Sequence, residues 1–114
     1  MKTFRILVLI LMAPVFLAAC AHFQEPDFGH YSKAEEYYSQ GNYEKAIAEY
    51  ANYLKQEPQG NMAIIAHYYT AKSQAAGGNI TAAREGFQSI IEKYPDSDWA
   101  VFSRARIKEL ASLK

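Results

Sequence analysis

When the sequence is displaced by 37 residues against itself, His30-Tyr31 and Ala34 fall on His67-Tyr68 and Ala71. Gly41-Asn42 then falls on Gly78-Asn79, Ala46 on Ala83, Tyr50 on Phe87, Tyr53-Leu54 on Ile90-Ile91 and Pro58 on Pro95. Most of these pairs are identical. A partial third copy follows 34 residues later, where Phe102, Ala105 and Arg106 succeed Tyr68, Ala71 and Lys72. A period of this length means stacked copies of one small unit, none of which can bury its apolar face alone.

Each unit reads as two helices. Tyr43, Ala46, Ile47, Tyr50, Tyr53 and Leu54 recur at three- and four-residue steps, and Ile80, Ala83, Phe87, Ile90 and Ile91 do the same in the second copy. That spacing marks one face of an α-helix. Gly41-Asn42 and Gly78-Asn79 supply the turns, Gly accepting a left-handed backbone and Asn capping the next helix. Pro58 and Pro95 stop the second helices. Ala34, Ala46, Ala71, Ala83 and Ala105 are small enough for close helix crossings. Asp96-Ser97 offers a cap for a last helix of about sixteen residues, ending near Lys114. No segment alternates with period two, so the expected fold is all-α: a stack of two helical hairpins closed by one capping helix.

The first 20 residues are of a different kind. They carry Lys2 and Arg5, no acid, and an apolar run from Ile6 to Phe16. That run is too short for a membrane span and has the form of an export signal. Leu17-Ala18-Ala19-Cys20 then resembles the lead-in and Cys of the bacterial lipoprotein signal. The resemblance implies a signal peptide over 1–19 and lipid on the Cys20 thiol and on the new amine, an anchor too strong to reverse. Ala21, where that family's inner-membrane proteins tend to carry Asp, points to the periplasmic face of the outer membrane, or to the cell membrane if the source has only one. Residues 20–30, with Pro26 and Gly29, read as a short tether. Beyond Cys20 the chain has 10 basic and 12 acidic side chains, so nothing in its charge favours nucleic acid.

The spacing of Tyr37, Gly41-Asn42-Tyr43, Ala46, Tyr50, Leu54 and Pro58 resembles the tetratricopeptide repeat. The first unit, about 27–60, matches that pattern more fully than the second, about 64–97. In the second, Ile80 stands for Tyr, Gln74 for Tyr37, and the junction carries three extra residues. Its ending, Ile90-Ile91-Glu92-Lys93-Tyr94-Pro95-Asp96-Ser97, is similar to repeats of bacterial envelope proteins such as the barrel-assembly lipoprotein and the Tol-Pal-associated periplasmic repeat protein. A capping helix of about 98–114 completes the reading.

Catalytic chemistry finds little footing. His22, His30 and His67 are the three histidines, with no HExxH, no Cys-His cluster and no Gly-x-Ser-x-Gly. No metal, no cofactor and no enzyme activity are expected, and His30 and His67, at equivalent places, read as packing residues. Gly77-Gly78-Asn79 is a turn without the features of a phosphate loop. Glu49 and Lys55 read as solvent-facing.

The family resemblance implies instead a concave groove lined by first helices. Its ligand-facing positions fall on Tyr31, Glu35 and Tyr38, then Tyr68, Lys72 and Ala75, then Trp99, Phe102 and Arg106. Tyr31 and Tyr68 can equally fill space between helices. The family's carboxylate clamp is not matched, because Glu35 and Lys72 stand where it has Asn. The expected function is a membrane-anchored protein-protein interaction or scaffolding module of the bacterial envelope, holding an envelope protein or peptide segment. Two alternatives stay open: an accessory of outer-membrane protein assembly or secretion, and an accessory subunit of a cell-wall or lipid enzyme.

Overall fold

The computed structural model describes residues 28–113. The expected signal peptide of 1–19, the expected lipidation site Cys20 and the expected tether as far as residue 27 lie outside the described residues, as does Lys114. Within them the chain forms five helices and no strand: α1 Gly29–Ser39, α2 Tyr43–Gln56, α3 Asn61–Ala76, α4 Ile80–Lys93 and α5 Asp98–Ala111. Each helix packs on its neighbours in sequence, and α5 also reaches back to α3. The two expected hairpins and the closing helix are all present.

Both hairpin turns are built alike. At the end of α1, Gly41 N–H donates to the Tyr38 carbonyl at 3.1 Å and Asn42 N–H to that of Tyr37 at 2.9 Å. At the end of α3, Gly78 and Asn79 donate to Ala75 and Gln74 at 3.1 and 2.8 Å. This pair of bonds satisfies carbonyls that a helix end leaves free, and it requires the residue after the cap to be left-handed. Gly41 and Gly78 meet that need at φ 75° and 92°. The Asn side chains then accept from Lys45 N–H at 3.4 Å and Ala82 N–H at 3.2 Å, starting α2 and α4. Ser97 opens α5 in the same way, accepting from Ala100 N–H at 3.1 Å. Loss of one such cap costs about 1 kcal/mol.

Two cores result. The first gathers Tyr31, Ala34, Ala46, Tyr50, Tyr53 and Ala66, and the second Tyr68, Ala71, Ala83, Phe87, Ile90 and Leu110. Tyr69 packs against both and so joins the hairpins. Ala34, Ala46, Ala66 and Ala83 are fully buried, which lets the helix axes approach.

Four expectations are corrected. Gly29 and His30 are the first turn of α1 and not tether, because Phe28 O accepts from Ser32 N–H at 2.9 Å and His30 is held by Glu49. The extra junction residues lengthen the next helix, so α3 starts at Asn61, with Gly60 turning the chain at φ 99°. The last helix stops at Ala111, where the Ser112 hydroxyl donates to the Glu109 carbonyl at 2.6 Å. Ala105 is exposed, because among the described residues no second helix packs on α5 as α4 packs on α3.

Candidate functional site

Tyr38, Lys72 and Arg106 are each 34 residues apart and lie on α1, α3 and α5. They line one recess of about 280 Å³, together with Ala75, Glu109 and Leu110. The Lys72 ammonium stands 5.6 Å from the Tyr38 ring centroid and 5.1 Å from that of Tyr69. Each such cation–ring contact contributes about 0.5 to 1 kcal/mol at a half-exposed site. Those two rings meet edge to face at 5.5 Å, which fixes the wall against which the lysine leans.

Arg106 forms the opposite wall. Its Nε donates to the Tyr68 hydroxyl at 3.3 Å, and its Nη1 donates to Glu109 Oε2 at 2.8 Å. The bond to Tyr68, more than that to Glu109, favours the charged guanidinium. The Arg106–Glu109 pair is half open to solvent. An exposed pair of that kind is weak and readily exchanged for another carboxylate.

The remaining groove residues separate by atom. Tyr31 and Tyr68 are only 7% and 6% exposed. The Tyr31 ring packs edge-on against Tyr50 and Tyr53, and the Tyr68 ring packs at a tilt against Phe87 and Trp99. Their rings therefore belong to the core and not to a groove surface, which corrects the groove assignment for both. Their hydroxyls still touch charged groove residues: Arg106 for Tyr68, and Glu35 for Tyr31. Burial first, then the Glu35 carboxylate, pushes the Tyr31 hydroxyl far above the usual tyrosine range. Glu35 itself is exposed. Trp99 and Phe102 form an aromatic step beside Tyr68, with centroids 5.6 Å apart, outside the recess of Lys72 and Arg106. Phe102 remains 48% exposed.

Sequence reasoning missed Tyr69 and Glu109. Glu109 carries a signal in its i+3 spacing from Arg106, whereas nothing in the sequence sets Tyr69 apart from its neighbour Tyr68. It also placed Glu49 in solvent, and the structure corrects this: Glu49 Oε2 lies 2.5 Å from His30 Nδ1 across the first hairpin.

Residues 66–97 match the tetratricopeptide repeat family. The match falls on the second unit, close to the expected 64–97, although the first unit carries the fuller set of the repeat's marks. The fold is thus an all-α tetratricopeptide-like helical stack. No curated protein matches the chain.

Proposed function

We propose that this chain is a protein-binding module, anchored at the periplasmic face of the outer membrane through lipid on Cys20, that holds a segment of an envelope protein in the recess of Tyr38, Lys72 and Arg106. One observation carries the reading: three side chains, one from each of three successive first helices, converge on a single cavity. Tetratricopeptide repeats generally serve protein-protein interaction or scaffolding, and the match over 66–97 supports that class. The recess offers aromatic area that loses little rotamer entropy on binding. It also offers two cations: Lys72, which leans on ring faces, and Arg106, which is held by the Tyr68 hydroxyl and by a weak, exposed pair with Glu109.

Photocrosslinking from Tyr38 in intact cells, followed by mass spectrometry, tests the module. A specific protein adduct is expected, and a barrel-assembly component or a murein enzyme among the adducts would name the pathway served. Absence of any adduct from Tyr38, with adducts formed from an outer position such as Lys55, would overturn the groove. The anchor is tested separately: Cys20→Ser should abolish palmitate labelling and release the protein from the membrane fraction, and persistent labelling would refute it.

A further inference from the structure

The two hairpins share one pattern but differ at the seam between first and second helix. In the first hairpin the seam is filled. Glu49 reaches across from α2 to His30 on α1 at 2.5 Å, and Lys45 lies over the Tyr37 ring at 5.5 Å. At the equivalent places of the second hairpin every filler is smaller: Gly86 stands for Glu49, Ala82 for Lys45 and Gln74 for Tyr37. His30 alone is retained, as His67. The consequence is an open cavity of about 350 Å³ lined by His67, Gln74, Ala82, Gly86 and Lys93.

This cavity is separate from the recess of Lys72. Thr70 and Gln74, each two residues from Lys72, point to the far side of α3 because two residues turn a helix by about 200°. Gly86 lies so close to α3 that a β-carbon there would stand 3.0 Å from the Ala71 β-carbon. Glycine thus both brings the helices together and leaves His67 without the acid its counterpart has. The His67 ring makes no hydrogen bond among the described residues. Burial, and then the Lys93 ammonium, lower its pKa below the ordinary histidine value. A neutral imidazole presents one N–H donor, and Lys93 adds a positive charge at the same cavity.

We infer that the open α3–α4 seam is a receptor for a carboxylate group from outside the molecule, which hydrogen-bonds His67 as Glu49 does His30. The first hairpin is the chemical precedent, since it shows which group this seam accepts when one is supplied in cis. Glu85 also lines the cavity and opposes an anion there, so a bound carboxylate is held by His67 and Lys93 against it. The group is either a small free carboxylate or a Glu or Asp side chain of a partner protein.

The imidazole nitrogen signals of His67 in the whole protein report binding directly by NMR. Two probes are used: glutarate, and a capped acidic peptide compared with its Glu→Gln counterpart. Saturable displacement of the His67 signals by glutarate as well as the peptide assigns the site to a free small carboxylate. Displacement by the acidic peptide alone assigns it to a protein side chain. In either case His67→Phe, followed at the backbone amide of Gly86 in the same cavity, should weaken binding about tenfold or more, and Glu85→Gln should strengthen it. A built-in acid gives the second arm. Gly86→Glu, made together with Ala71→Gly to relieve the close contact, should move the His67 signals to the bound position without ligand and abolish the response to both probes. The inference is overturned if neither probe displaces His67 saturably in the unaltered protein, or if the Gln peptide acts as well as the Glu peptide. The titration of the unaltered protein decides the matter even if the double variant does not fold.

Discussion

Tyr50 and Phe87 hold the same place in successive second helices, yet they meet different surroundings. Both rings are fully buried, but the Tyr50 hydroxyl lies inside the first core with no hydrogen-bond partner among the described residues. Burial raises its pKa far above the usual tyrosine range, the nearby Tyr31 and Glu35 adding to the effect.

A buried hydroxyl without a partner costs about 1 to 3 kcal/mol of desolvation, and removing it at constant shape recovers part of that. Tyr50→Phe, which copies the second hairpin, is therefore expected to stabilise the fold by about 1 kcal/mol. Urea unfolding should show a higher midpoint at unchanged slope. A lower midpoint would mean that the hydroxyl is partnered in solution.

The alanines give a paired prediction. Ala46 is fully buried where α1 and α2 cross, so Ala46→Leu forces extra methylenes into a closed space at a cost of about 1 to 3 kcal/mol. Ala105 stands at the register of Ala71 but is exposed. Ala105→Leu should change stability by no more than about 0.5 kcal/mol. Equal losses at the two positions would show that α5 is covered in solution.

That contrast marks where the sequence is legible. Helix number, turn chemistry and caps follow from local signals, because Gly41-Asn42, Gly78-Asn79 and Ser97 act on bonds within a few residues of themselves. What a periodic pattern cannot tell is which repeated position meets a neighbour. Ala105 repeats Ala71 but lacks the helix that buries it. Tyr31 and Tyr68 sit at groove-facing register, yet their rings turn inward against Tyr50, Tyr53 and Phe87, and their hydroxyls reach charged groups. Glu49 is charged and was expected in solvent, and its bond to His30 spans 19 residues, beyond any local signal. Of the groove, Tyr38, Lys72 and Arg106, one from each first helix, are brought together in a single recess.

Acid sensitivity is expected from His67. Its folded pKa is lowered, chiefly by burial and then by Lys93, so the unfolded chain binds the proton more readily. Stability then rises with pH where the unfolded state holds more protons, and falls as pH drops through the ordinary value of 6.5 toward the lower folded value. Melting temperature should decline between pH 7.5 and pH 5.5, and His67→Phe should make the decline shallower. An unchanged slope in the variant would place the acid-sensitive group elsewhere.

The recess makes the last prediction. Lys72 and Arg106 face the same cavity from adjacent first helices; Lys72 leans on ring faces, and Arg106, held at Nε by the Tyr68 hydroxyl, turns Nη1 to the exposed Glu109. An acidic segment entering there would exchange the exposed Glu109 contact for its own carboxylate, and charge-assisted bonds of this kind contribute about 1.5 to 3 kcal/mol each when shielded. Reversing both charges, Lys72→Glu with Arg106→Glu, should reduce partner capture at least tenfold, about 1.4 kcal/mol or more. Glu109→Gln, which frees Arg106, should increase it. Helical content should not change in either variant. The control reverses two exposed cations away from the recess, Lys55→Glu with Arg104→Glu, and should leave capture intact. If the control pair abolished capture while the recess pair did not, recognition would run through the outer surface of the stack, and the convergence of Tyr38, Lys72 and Arg106 on one recess would be a consequence of packing alone.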